Sequence, residues 1–104
     1  MTEPLHALLA PRAIAILGSS ADFRKVNGRP LKHLLDKGYA GKIYPVNPRY
    51  ETIGELRCYP RVGAIEAEVD LAIIVLPASE VLNAVRELGA KRVPAAIIFS
   101  SGFS

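Results

Sequence analysis

The chain has one cysteine, Cys58, and no tryptophan among its 104 residues. A lone cysteine excludes an internal disulfide and any metal site built from a cysteine cluster. It suits a reducing, cytoplasmic setting, where thiols stay unpaired. His6 and His33 lack the close spacing of a zinc-binding pair, so no metal is expected. No apolar run approaches the roughly 18 residues needed to cross a bilayer. The longest runs, Leu71–Leu76 and Ala95–Phe99, are strand-sized. The first residues include Glu3 and lack a basic start before a long apolar stretch, so no signal peptide is read there. Basic residues outnumber acidic ones by 13 to 10, for a net charge of +3 and a pI near 9.2. They are dispersed, with no Lys/Arg run, which favours a small anionic ligand over nucleic acid.

Half the residues are hydrophobic and mean hydropathy is +0.22, enough for one folded domain. The apolar run Ala13–Leu17 ends at Gly18-Ser19-Ser20 and a helical pattern follows. That order reads as the first strand–turn–helix unit of a nucleotide-binding α/β domain. Glycine lets a backbone approach a ligand, and free N–H groups at a helix start favour phosphate.

The alternation continues along the chain. Leu5, Leu8 and Leu9 indicate a short leading helix. Asn27 is read as a helix cap, Pro30 as a first-turn residue and Gly38 as the stop, with Leu31, Leu34 and Leu35 on the apolar face. Lys42–Val46 is the second strand, at a sheet edge because it contains Pro45. A short extra strand is expected near Arg57–Tyr59 and a helical turn near Val62–Ile65. Val69–Leu76 is the strongest strand pattern, apolar enough to be covered on both faces. A helix capped by Ser79, with Val81, Leu82, Val85 and Leu88 on its apolar face, is expected to stop at Gly89. Ala95–Phe99 is the last strand.

Right-handed crossovers then order the sheet as second strand, first strand, Val69–Leu76, Ala95–Phe99. The switch point lies between the first strand and Val69–Leu76, and ligands bind beyond strand ends at such a point. Four loops converge there: Gly18–Asp22, Asn47–Arg49, Leu76–Ser79 and Ser100–Phe103.

The pattern G-x-G-x-x-G is missing after the first strand. The second strand ends in Val46-Asn47-Pro48-Arg49, without the Asp or Glu that holds a ribose diol. Arg49 is suited to pair with a phosphate, which favours a ligand phosphorylated on its ribose, coenzyme A or NADP.

At this point the chain resembles a family. Pro11–Ser20, Lys25-Val26-Asn27-Gly28-Arg29, Gly41–Pro48, Cys58-Tyr59-Pro60, Val69–Pro77 and Ser100–Phe103 together resemble the CoA-binding domain of NDP-forming acyl-CoA synthetases, relatives of the succinyl-CoA synthetase alpha subunit. The resemblance implies an α/β, Rossmann-like open parallel sheet with helices on both faces, cut short at its C-terminal end. It implies that residues 1–104 are an N-terminal fragment of a larger protein. Gly18, Ser19 and Ser20 would contact the CoA phosphates, and Asn47, Pro48 and Arg49 would border the adenosine end. Leu76 and Pro77 would line the pantetheine path, with Ser101 and Gly102 near the thiol. The partners implied are ATP-grasp and phosphohistidine domains or subunits, which carry out the chemistry, so this chain alone is not expected to catalyse. A CoA-binding regulatory module serving another enzyme, such as an acyltransferase, and an NADP-binding domain are the alternative readings. Because Ala95–Phe99 is apolar throughout, its edge is also expected to support self-association.

Overall fold

The computed structural model describes residues 10–99. The leading helix expected around Leu5–Leu9, and Ser101 and Gly102, lie outside the described residues. Four strands, β1 (Ala13–Leu17), β2 (Lys42–Val46), β5 (Leu71–Ile74) and β6 (Ala95–Ile98), form a parallel sheet in the order β2-β1-β5-β6. That is the expected order. Two short strands, β3 (Thr52–Ile53) and β4 (Leu56–Arg57), form a separate hairpin. Gly54, at φ +62°, opens its two-residue turn.

All five residues of β1 are buried, as a central parallel strand requires. Its side chains alternate between two helices. Ala15 and Leu17 join Ala72, Ile74, Ala84 and Leu88 beneath α2 (Ala78–Lys91). Ile14 and Ile16 join Leu31, Leu71 and Val75 beneath α1 (Arg29–Asp36). Leu17 is level with Val46 on one side and Ile74 on the other. Three strands therefore end on one rim, and the loops leave from it.

Several local expectations are revised. Gly28, not Asn27, precedes the first residue of α1. Asn27 sits in a 3-10 turn, Val26–Gly28. Ser79 does not cap α2; Pro77 occupies that position and Ser79 lies in the first turn. Nor does Gly89 end α2. The helix runs through it to Lys91 because Leu88 is buried and the Lys91 ammonium donates to the Ile65 carbonyl. Arg92 closes it in the left-handed conformation, φ +64°. Gly38, at φ +67°, does end α1: its N–H donates to the Leu35 carbonyl and that of Tyr39 to Leu34. The Val69–Leu76 strand is shorter than its apolar run. It begins at Leu71, because Asp70 turns its carboxylate to accept the Arg12 and Ala13 N–H groups.

The extra strand near Arg57–Tyr59 appears as β4 plus a bridge between Tyr59 and Val46. Pro45 fits β2 because its nitrogen faces away from β1; on that outer side its carbonyl accepts from Tyr59 N–H at 2.9 Å. Leu82 and Val85, expected in the core, are largely exposed, as are Leu35, Ile98 and Phe99.

Candidate functional site

Gly18 ends β1 at φ +89° and donates its N–H to the Val46 carbonyl at 2.8 Å. A Cβ there would lie 2.3 Å from the Val75 carbonyl oxygen. Glycine is thus required by the protein's own packing, where the end of β1 meets the residue that follows β5, before any ligand is considered. The loop then turns back on itself. Ser20 N–H donates to the Asn27 carbonyl, Ser20 Oγ accepts from Asp22 N–H, and Asn27 Nδ2 reaches the Gly18 carbonyl at 2.9 Å. Asn27 therefore braces the turn that its sequence position assigned to a helix cap. Ser19 lies beneath the turn, fully buried, with its Oγ unpartnered among the described residues.

Asn47 ties this loop to the next one. Its Nδ2 donates to the Ser19 carbonyl at 3.0 Å, and its Oδ1 accepts from Arg49 N–H at 2.9 Å. Its own N–H donates to the Tyr59 carbonyl at 2.8 Å. With both ends of its amide engaged, Asn47 positions Pro48 and Arg49, which are exposed. Cys58 lies below, its Sγ 3.5 Å from the Asn47 carbonyl, and burial pushes its thiol above the ordinary range. Tyr50 brings its hydroxyl to 3.5 Å from Ser20 Oγ. That hydrogen bond, a second from the Ala21 backbone, and the charges of Lys25 and Arg49 hold its phenol below the ordinary range.

These loops enclose a cavity of about 660 Å³, within the range of small-molecule sites. Of the residues singled out in the sequence, Gly18, Ser20, Asn47, Pro48, Arg49, Leu76 and Pro77 line it together. Ser19 is adjacent but does not line it. Ser101 and Gly102 are not among the described residues. Four elements of the wall went unrecognised in the sequence. Lys25 and Asn27 add a cation and an amide beside the Gly18 turn, and Arg61 adds another cation to the lining. The exposed polar face of α2 supplies Glu80, Asn83 and Glu87. Their i, i+3, i+7 spacing was the available signal. Charge is unevenly spread, with Lys25 and Arg49 near the Gly18 and Asn47 turns and two carboxylates on α2. Among the described residues no cluster of His, Cys, Asp and Glu could hold a metal ion, and no helix is long and apolar enough to cross a membrane.

Comparison with known proteins gives a consistent result. Residues 12–104 match the model of a CoA binding domain. The chain is 42% identical over 100 residues to an ADP-forming acetate–CoA ligase II of Archaeoglobus fulgidus, covering 96% of this chain and 15% of that protein. It is 41% identical over 103 residues to the alpha subunit of the ADP-forming acetate–CoA ligase I of Pyrococcus furiosus, covering 95% and 22%. Its fold is similar to the apo form of the dinucleotide-forming acetyl-coenzyme A synthetase 1 of Ca. Korarchaeum cryptofilum, with a TM-score of 0.90 and 38% identity. That match covers 95% of this chain and 22% of the other. The chain thus spans less than a quarter of each of these relatives.

Proposed function

The chain belongs to the CoA-binding domain family, and from that membership we propose that it is the CoA-holding part of a larger NDP-forming acyl-CoA synthetase. The observation that carries this reading is the end of β2. Asn47-Pro48-Arg49 offers a fixed loop and a cation, with no carboxylate, where a free ribose diol would need one. Gly18 and Ser20, with Lys25, take the pyrophosphate, and Ser19 supports them from below. Arg49 pairs with the phosphate on the CoA ribose, with Asn47 and Pro48 fixing its loop. Leu76 and Pro77 flank the pantetheine arm, and Ser101 and Gly102 are assigned to its thiol end.

CoA is then a substrate, the acyl acceptor. Its sulfur attacks the acyl carbon of an acyl phosphate. A thioester forms, the bond from that carbon to the phosphate oxygen breaks, and the thiol proton leaves with phosphate. The acyl phosphate is made by phosphohistidine and ATP-grasp domains or subunits, which are the partners this reading requires, in the cytoplasm. Residues 1–104 hold and orient CoA and leave bond-making to those partners.

Titration calorimetry on the folded chain with CoA, NADP and NAD tests the reading. CoA is expected to bind and NAD not to. A folded sample that ignores CoA, or that prefers NADP, contradicts it.

A further inference from the structure

An anion beside the Gly18 turn must be met by hydrogen-bond donors, and the backbone donors there can be counted one by one. In the turn, Gly18 N–H donates to the Val46 carbonyl, Ser20 N–H to the Asn27 carbonyl and Asp22 N–H to Ser20 Oγ. The Ala21 backbone bonds to the Tyr50 hydroxyl, and Ser19 is fully buried. The start of α1, where the sequence led us to expect free N–H groups, is no better supplied. The 3-10 turn before it uses the Gly28 N–H on the Lys25 carbonyl and the Arg29 N–H on that of Val26. Pro30 has no N–H, and Leu31 is fully buried. Gly28, Arg29, Pro30 and Leu31 do not line the cavity. The donors that remain are on side chains. Asn27 Nδ2 gives one of its two hydrogens to the Gly18 carbonyl and keeps the other. Ser20 Oγ accepts from Asp22 N–H, which leaves its own hydrogen to donate. Lys25 is exposed and forms no ion pair among the described residues. All three line the cavity.

From this accounting we infer that the pyrophosphate of the ligand is held by the side chains of Ser20, Lys25 and Asn27, and not by backbone N–H groups of the Gly18 turn or of α1. Asn27 is thereby a ligand-binding residue as well as a brace. The inference rests on the CoA reading of the same cavity. The fixing of Asn27 supports it. Its carbonyl accepts from Ser20 N–H at 3.0 Å and its Nδ2 donates to the Gly18 carbonyl at 2.9 Å, so main chain and side chain are both tied to the turn. The second Nδ2 hydrogen is therefore set in place before a ligand arrives, and a donor already oriented loses little freedom on binding. A hydrogen bond from it to a phosphate oxygen is charge-assisted, and stronger than one between neutral groups. Lys25, two residues earlier, adds the positive charge that neither amide nor hydroxyl supplies.

The test is nuclear magnetic resonance on the 104-residue chain, titrated with CoA and with dephospho-CoA, which keeps the pyrophosphate. The assigned Asn27 Nδ2 resonances are expected to move downfield with both ligands, and further than the backbone amides of residues 18–22 and 28–31. A merely structural Asn27 would lower the melting temperature when replaced, but its own Nδ2 resonances would ignore both ligands. In calorimetry, Lys25→Met and Asn27→Asp should each weaken CoA by about tenfold or more, the scale of a lost charged hydrogen bond. Lys25 is exposed, so Lys25→Met keeps the test available if Asn27→Asp does not fold. CoA binding with the largest shifts on backbone amides of the turn or of α1, or an Asn27 shift with CoA alone, would overturn the inference and leave the CoA reading intact. So would a folded variant of either kind that binds CoA as the parent does. A folded parent that binds no CoA would overturn the CoA reading and this inference with it.

Discussion

The two edges of the sheet are built differently. At β2 the edge is closed: Pro45 offers no outward N–H, Tyr59 bridges to Val46, and the β3–β4 hairpin lies alongside. Tyr44 packs edge-on against Tyr59, ring centres 5.8 Å apart, and Arg57 lies over Tyr59. At β6 the edge is open: Ile98 and Phe99 are 47% and 49% exposed. The closed edge borders the candidate site. Its bonds fix the Asn47 loop, and that loop borders the cavity. The open edge lies beside the end of β5, where Phe99 N–H donates to the Ile74 carbonyl at 2.8 Å, and it has the apolar character of a surface open to pairing.

The sharpest way to break this contrast is at the centre, between the edges. Gly18→Val places a β-branched side chain at φ +89° and within 2.3 Å of the Val75 carbonyl oxygen. Strain and overlap together should cost about 3 kcal/mol or more. Thermal or urea unfolding measures it; a variant as stable as the parent would show that the contact between the ends of β1 and β5 gives way.

At the closed edge, Asn47→Ala removes the bonds to the Ser19 carbonyl and the Arg49 N–H. Stability should fall by about 1–3 kcal/mol, the scale of buried groups left unpaired, and CoA affinity should fall with it. Undiminished affinity in a destabilised variant would mean that the loop does not position the ligand.

Cys58 lies under the same loop and gives a milder probe. Its thiol is raised chiefly by burial. A thiol held protonated by the fold contributes stability below its unfolded pKa, and loses that contribution as pH rises through the folded value. Alkylation should therefore be at least about tenfold slower in the folded chain than in urea at pH 8, and slower still with CoA bound. Equal rates would show that the closed edge opens freely.

The open edge should respond in the opposite sense. Ile98→Lys is expected to change stability by less than about 0.5 kcal/mol, as surface substitutions do. We propose that this edge pairs with a second chain when nothing else covers it. Light scattering should then report association of the parent and a monomer for the variant. A parent that stays monomeric across a wide concentration range would remove that proposal.

Much of this architecture was legible in the sequence, and the exceptions have physical causes. Strand order followed from apolar runs and crossover handedness, because a doubly covered strand such as β1 has only one kind of sequence. Pro45 marked an edge because a missing N–H is a local fact. Tertiary contacts overrode other local signals. Asn27 has a capping side chain, but the Gly18 carbonyl across the turn claims it. Gly89 is a frequent stop, yet Leu88 and Lys91 anchor the turn around it. Leu82 and Val85 fit an apolar stripe, but α2 rests on the sheet through Ala84 and Leu88. Its polar face turns to the cavity instead. That half of the candidate site was missed because the i, i+3, i+7 spacing of its polar residues marks a polar helix face but not the cavity it lines.

The central claim is that Arg49, held by Asn47 at the closed edge, meets the phosphate on the CoA ribose. The direct measurement is a four-way calorimetric comparison: parent chain and Arg49→Ala, each with CoA and with dephospho-CoA. The account predicts that the parent loses roughly 1.5–3 kcal/mol on either change alone, the scale of a charged hydrogen bond, and little more when both are made. Equal penalties of Arg49→Ala for the two ligands, or no preference of the parent for CoA, would contradict it.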